Sequence, residues 1–184
     1  MIQPPSKQAS GAAAAVAEDG GATGAAAGTA ARAVPAPVAA GWEPRIIAFC
    51  CNYCAYAAAD LAGSKRMQYS ANVRIIHTPC TGKIEMEHIL DAFEKGIDGV
   101  LVAGCLEGGC HFLEGNLRAR KHTDRMREIL DEIGVGAARL KMVNFSAAMA
   151  PSFVEHVEAI VETVRSLGPS PLNPSTQKES SGKP

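Results

Sequence analysis

The chain has 184 residues, which suffice for one ordinary domain with terminal tails but not for two sizeable hydrophobic cores. Its formal net charge of -1 and sequence pI of about 6.5 provide no general attraction to nucleic acid or to an anionic membrane. No stretch reaches the roughly 18 consecutive apolar residues of a membrane span, and no signal peptide is recognisable. We therefore predict a cytoplasmic protein with no membrane span and no nucleic-acid partner.

Both ends of the chain differ in composition from its middle. Residues 1–41 are rich in alanine, glycine and proline, and they bury too little apolar surface to offset the entropy lost on ordering. We predict a disordered extension there. Residues 169–184 are rich in proline, serine and charged residues, which predicts a flexible tail. The predicted folded domain is therefore residues 42–168.

Within that domain, strand-like and helical patterns alternate. Four short runs rich in valine and isoleucine are typical of buried strands: Arg45–Phe49, Val73–His77, Gly99–Ala103 and Leu140–Phe145. An alanine-rich segment and three runs with apolar residues at intervals of three and four predict helices, at 56–62, 86–93, 126–133 and 153–164. Ser152 and Glu155 are spaced as a capping box for the last helix.

Strands that alternate with helices imply right-handed crossovers and a parallel sheet covered by helices on both faces. We therefore predict a three-layer α/β domain of the flavodoxin or Rossmann kind with a four-stranded parallel sheet. The strand order we predict is 2-1-3-4, which puts the topological switch point between the first and third strands. Ligand sites in such sheets form at the carboxyl ends of the strands.

Each of the first three predicted strands runs directly into cysteine. Because the carboxyl ends of parallel strands meet at one edge of the sheet, we expect thiols that are distant in sequence to converge there. Cys50 is the exception, since side chains alternate along a strand and it should point away from Cys51 as a buried structural thiol. The five remaining candidates, of which four suffice for a cluster, are Cys51, Cys54, Cys80, Cys105 and Cys110.

Several chemistries suit these cysteines in a reducing compartment, where disulfides are disfavoured. The Cys51-Asn-Tyr-Cys54 spacing lets two thiolates hold one metal ion, and the glycines between Cys105 and Cys110 allow close backbone approach and offer amide donors to sulfur. An iron–sulfur cluster that relays electrons is the favoured interpretation. Two alternatives stay open: a structural zinc site in an adaptor between redox enzymes, and a dithiol oxidoreductase that uses Cys51 and Cys54.

The surroundings of the cysteines add little that is specific. His111 follows Cys110, and we favour a hydrogen bond near the cluster over iron ligation for it. The basic residues between Arg118 and Arg127 are interpreted as a solvated helix face, with a docking surface as the alternative. No glycine-rich phosphate loop follows the first strand, so neither a dinucleotide nor a bound flavin is predicted. No catalytic residue is predicted.

From Trp42 to about Leu172 the sequence resembles the delta subunit family of methyl-viologen-reducing (F420-non-reducing) hydrogenase, an iron–sulfur protein family that works with heterodisulfide reductase. The resemblance rests on the segments WEPRIIAFCCNYCAYAAADLAG, NVRIIHTPCTGKIE, GVLVAGCLEGGCHFLEGN and LGPSPL. It implies that the five candidate cysteines are those of the family, and that Cys50 stands where relatives have an apolar residue.

The same resemblance implies one [2Fe–2S] cluster and an electron-transfer subunit without turnover of its own. Such a subunit carries electrons from a hydrogenase, a formate dehydrogenase or an NAD(P)H dehydrogenase module. It delivers them to the A-type flavin subunit of heterodisulfide reductase, where they feed flavin-based electron bifurcation. The extension at residues 1–41 has no counterpart in the family pattern.

Overall fold

Four parallel strands form the single sheet of the computed structural model, in which residues 41–173 are described. The strands are β1 (Ile46–Cys51), β2 (Val73–Thr78), β3 (Gly99–Cys105) and β4 (Leu140–Phe145), in the order β2-β1-β3-β4. Both the strand order and the parallel direction agree with the sequence prediction. Residues 1–40 of the predicted extension and residues 174–184 of the predicted tail lie outside the described residues.

Helices cover both faces of the sheet: α1 (Ala55–Ser64), α2 (Met86–Glu94), α3 (Gly115–Glu132) and α4 (Ala150–Leu167), with short 3₁₀ turns at Thr81–Lys83 and Ala137–Arg139. The helix α3 begins well before the predicted residue 126, because its first half buries small and polar residues such as Ala119 and Thr123. The predicted capping box of α4 is wrong. This helix starts at Ala150, so Ser152 and Glu155 lie inside it. None of the helices within 41–173 is both long and apolar enough to cross a bilayer.

The core has two halves, one on each face of the sheet. On one face, α1 and α4 pack against side chains such as Ala48, Cys50 and Leu101. On the other face, α2 and α3 pack against Phe49 and Val102. Every residue of β3 is buried, as expected for an inner strand of a parallel sheet that is covered on both faces. The carboxyl ends of β1, β2 and β3 therefore meet at one edge, close to the beginnings of α1 and α3.

At the opposite edge of the sheet, Asp98 and Arg139 fasten the chain that follows α4. The Arg139 side chain is only 4% exposed. Its guanidinium donates hydrogen bonds of 2.8–3.4 Å to the carbonyls of Val135, Asp98, Leu167, Gly168 and Pro169. The buried Asp98 carboxylate accepts hydrogen bonds from the backbone of Arg45 and Ser170 and from the Asn173 side chain. Residues 168–173 are thereby bound to the domain.

Replacement of this buried cation tests its structural role. We predict that Arg139→Met lowers the free energy of unfolding by about 2–4 kcal/mol, because several buried carbonyls lose their donors and the Asp98 charge loses its counterpart. Urea denaturation measures this change. The control is Arg165→Met, which removes only the exposed ion pairs with Glu43 and Glu162 and should leave the midpoint almost unchanged. Equal shifts in the two variants would contradict the assignment.

Candidate metal centre

Five cysteine side chains meet at the carboxyl edge of the sheet. Cys51 ends β1 and Cys105 ends β3, and their Sγ atoms are 3.5 Å apart. Cys54, the residue before α1, forms hydrogen bonds with both. We call these three residues the sulfur trio. Cys80, which follows β2, forms a hydrogen bond with Cys110 from the loop after β3, and we call these two the sulfur pair.

The sulfur trio and the sulfur pair adjoin each other. Cys80 interacts electrostatically with Cys51, and Cys110 does so with Cys54. The structure thus brings together all five cysteines singled out in the sequence. Cys50 is fully buried in the core half covered by α1 and α4, as predicted, and burial raises the pKa of its thiol to about 12.

Two glycines in contact bring the sulfur pair together. A Cβ atom on Gly82 would lie 2.7 Å from the Cα of Gly115, so the 3₁₀ turn after Cys80 rests directly on the first turn of α3. A Cβ atom on Gly115 would collide with the Sγ of Cys80 and stand 3.3 Å from that of Cys110. Since no side chain fits at either position, both glycines are required for the two thiols to meet.

Backbone amides surround the sulfurs. Ala55 N–H donates to Cys51 Sγ and Gly82 N–H to Cys80 Sγ, both at 3.4 Å. His111 N–H donates to Cys105 Sγ. Cys110 Sγ accepts from three amides at the start of α3 and just before it, those of Phe112, Gly115 and Asn116. These donors stabilise negative charge on sulfur, and the amino-terminal end of α3 adds its dipole.

Two asparagines hold the backbone at Cys105. The side-chain amide of Asn116, which is 1% exposed, donates to the carbonyls of Cys105 (3.1 Å) and Leu106 (2.9 Å). Asn144, near the end of β4, donates to the same Cys105 carbonyl at 2.6 Å and accepts a hydrogen bond from Arg120. The carbonyl is therefore bound from two sides. This arrangement fixes the point at which the chain leaves the sheet toward Cys110.

The electrostatics of the site favour a bound cation. Burial raises the pKa of the Cys54, Cys80 and Cys105 thiols, since a thiolate is poorly solvated there. Cys110 differs, because its three amide donors outweigh the effect of burial and lower its pKa. A metal ion would supply the missing positive charge and deprotonate the thiols. An all-thiol donor set suits soft metals, including zinc and the iron of iron–sulfur clusters.

The sulfurs are not arranged as ligands of one ion. Among residues 41–173, no group of three or more His, Cys, Asp or Glu side chains surrounds a common position suited to a single metal ion. The division into a trio and a pair instead resembles the requirement of a binuclear cluster, in which two protein ligands bind each iron. The donor set therefore fits a [2Fe–2S] cluster better than a mononuclear site.

Aromatic rings connect the two loops that carry these cysteines. The rings of Tyr53 and His111 stack with their centroids 3.8 Å apart, and Phe112 packs edge-on against both. The described contact of His111 with a sulfur comes from its backbone N–H, whereas its ring is engaged with Tyr53. His77 bonds to Asn52 at 2.7 Å, in the loop after β1.

Sequence reasoning missed the residues that support the cysteines. The glycines expected to donate amides, Gly108 and Gly109, form a turn instead, in which Gly108 has a φ of 73° and Gly109 N–H bonds to Leu106. The amides that reach Cys110 come from the residues after it. Gly115 and Asn116 left no signal, because the α3 pattern was recognised only from residue 126. Asn144 did leave one, as a polar residue near the end of an otherwise apolar strand.

Comparison with known proteins identifies the family. The family model for the methyl-viologen-reducing hydrogenase delta subunit matches residues 46–168. The chain belongs to this family. It is 48% identical over 130 residues to the vhu iron–sulfur subunit of the F420-non-reducing hydrogenase of Methanocaldococcus jannaschii, covering 71% of this chain and 97% of that relative. The iron–sulfur subunit of the F420-non-reducing hydrogenase of Archaeoglobus profundus is 39% identical over 128 residues, which are 70% of this chain and 93% of the relative.

A second type of relative is a much longer protein. It is the A-type subunit of the ferredoxin/F(420)H(2)-dependent CoB-CoM heterodisulfide reductase of Methanosarcina acetivorans. The two sequences are 41% identical over 126 residues, which are 68% of this chain but only 16% of the reductase polypeptide. In this delta-subunit family, the same domain therefore occurs both as a separate chain and as a small part of a reductase polypeptide.

The glycine contact can be tested without any metal. We predict that Gly115→Ala lowers the free energy of unfolding by about 1–3 kcal/mol, because the added methyl group must displace the Cys80 sulfur and the Gly82 backbone. The matched control is Gly63→Ala within α1, where a Cβ atom meets nothing within 4 Å. That change should be neutral or stabilise by up to about 1 kcal/mol. A Gly115→Ala protein as stable as the control would refute the close contact.

Proposed function

We propose that the chain is an electron-transfer subunit that carries one [2Fe–2S] cluster on four of the cysteines of the sulfur trio and the sulfur pair. It relays electrons between a hydrogenase or another dehydrogenase module and the flavin subunit of a heterodisulfide-reductase-type bifurcating complex. The observation that carries this proposal is the meeting of five thiols and their amide donors at one edge of the sheet. The names of the relatives, which include a hydrogenase iron–sulfur subunit as well as a heterodisulfide reductase polypeptide, support it.

The grouping of the sulfurs suggests how the ligands are shared. Cys80 and Cys110 would hold one iron, and two members of the sulfur trio would hold the other. Cys51 and Cys105 are almost completely buried, whereas Cys54 lies half-buried beside Tyr53. The spare thiol therefore belongs to the trio in this scheme.

The cluster, when bound, accepts and releases one electron. The chain's own groups tune that step. Amides that donate to sulfur stabilise the added negative charge of the reduced state, so the three donors to Cys110 raise the reduction potential. The Asn116 and Asn144 side chains keep the Cys105 backbone in one position, which limits reorganisation when the charge changes.

The two alternatives have less support. A tetrahedral zinc site needs four ligands around one ion, and no such group is arranged among the described residues. A dithiol oxidoreductase needs a reactive thiolate and a free partner thiol. Here Cys54 shares its hydrogen bonds with both Cys51 and Cys105, and burial raises its pKa.

Metal analysis of the protein purified under anaerobic conditions tests the cofactor. We expect about two irons and two acid-labile sulfides per chain, with little zinc, and a spin signal that appears on reduction. The reduced protein should pass its electron to the flavin subunit of heterodisulfide reductase. Stoichiometric zinc without iron would refute the proposal, as would a protein that holds no metal.

Serine variants test the ligand scheme. We predict that Cys110→Ser loses the cluster, because it removes half of the sulfur pair, whereas Cys50→Ser retains full iron content and absorbance. Of the serine variants at Cys51, Cys54 and Cys105, one should keep the cluster. Retention of the cluster by Cys110→Ser, or its loss in all three trio variants, would show that the ligands are shared differently.

A further inference from the structure

An open groove lies beside the sulfur pair. It runs between the 3₁₀ turn at Thr81–Lys83 and the first half of α3, and its volume is about 980 Å³. Cys80, Gly82 and Gly115 form part of its lining. The groove therefore reaches one of the candidate ligands directly. A group bound in it would approach the cluster more closely than a group bound at the far edge of the sheet.

The groove is predominantly basic. Four cationic side chains line it, those of Lys83, Arg118, Arg120 and Lys121, against two carboxylates. Arg120 is engaged, since it lies 3.6 Å from the Glu107 carboxylate and donates to Asn144. The three remaining cations form no ion pair with any residue between 41 and 173, although each is exposed. They are free to bind an anionic group.

Apolar side chains accompany these charges. Phe112 is 51% exposed and Leu117 is 42% exposed, and both line the groove. Leu113, next to Phe112, is 84% exposed and has a φ of 64°. Leucine adopts this left-handed conformation at an energetic cost, and such strained residues concentrate at functional sites. A small free anion would leave these apolar groups uncovered, whereas apolar patches with charged surroundings are typical of protein interfaces.

We propose that this groove is the docking site for an acidic segment of the protein with which the chain exchanges electrons. Carboxylates of that segment pair with Lys83, Arg118 and Lys121, and an apolar side chain covers Phe112 and Leu117. The inference rests on the proposed function, because it requires a redox partner. It assigns the basic residues at the start of α3 to docking, in place of the solvated helix face that the sequence favoured.

The test compares two double charge reversals that change the net charge equally. Lys83→Glu/Lys121→Glu alters the groove, and Lys65→Glu/Arg74→Glu alters exposed residues after α1 and in the first half of β2. Association of the cluster-loaded chain is measured against the flavin subunit of heterodisulfide reductase and, separately, against the hydrogenase of the same organism. Each rate is measured at several salt concentrations.

For at least one of these partners, we expect the groove variant to associate at least about tenfold more slowly at low salt, with a weaker dependence on salt. The control should stay within about twofold of the parent, because distant charges are screened. Equal rates for the two variants, or association with neither protein, would overturn the docking proposal. Iron content and the reduced spin signal are recorded for each variant, so that loss of the cluster, which concerns the proposed function, is separated from loss of docking.

Discussion

The site depends on the contact between Gly82 and Gly115. Parallel pairing alone brings Cys51 and Cys105 together, because β1 and β3 are neighbours and both cysteines end their strands. Cys80 lies beyond β2, and Cys110 lies in the loop after β3, so a second constraint must join them. The direct approach of two backbones supplies it, by pressing the turn after Cys80 onto the first turn of α3. The same turn of α3 directs its amides at Cys110.

The two edges of the sheet have separate tasks. At one edge, the buried charges of Asp98 and Arg139 are satisfied by backbone groups and hold residues 168–173 in place. At the other edge, thiols lie close together with raised pKa values and strained or exposed neighbours such as Leu113, a combination that adds little to stability. Function and stability thus draw on different residues, as is common where a site is less stable than its scaffold.

The strand pattern was enough to predict the sheet order and the edge at which the cysteines converge, because both follow from the chain topology of parallel sheets. The supporting residues were not predictable in the same way. Gly115, Asn116 and Arg139 act through contacts with residues distant in sequence, and a periodic pattern contains no information about such contacts. The start of α3 was missed because its buried positions hold Asn116, Ala119 and Thr123 rather than large apolar residues.

X-ray absorption spectroscopy at the iron edge tests the central claim most directly, because it reports the atoms around each iron. The claim is that the sulfur trio and the sulfur pair together hold a binuclear cluster. It predicts a first shell of sulfur alone and a clear iron–iron scattering path in the purified chain. A first shell that contains nitrogen or oxygen, or sulfur-bound iron without an iron–iron path, would contradict it.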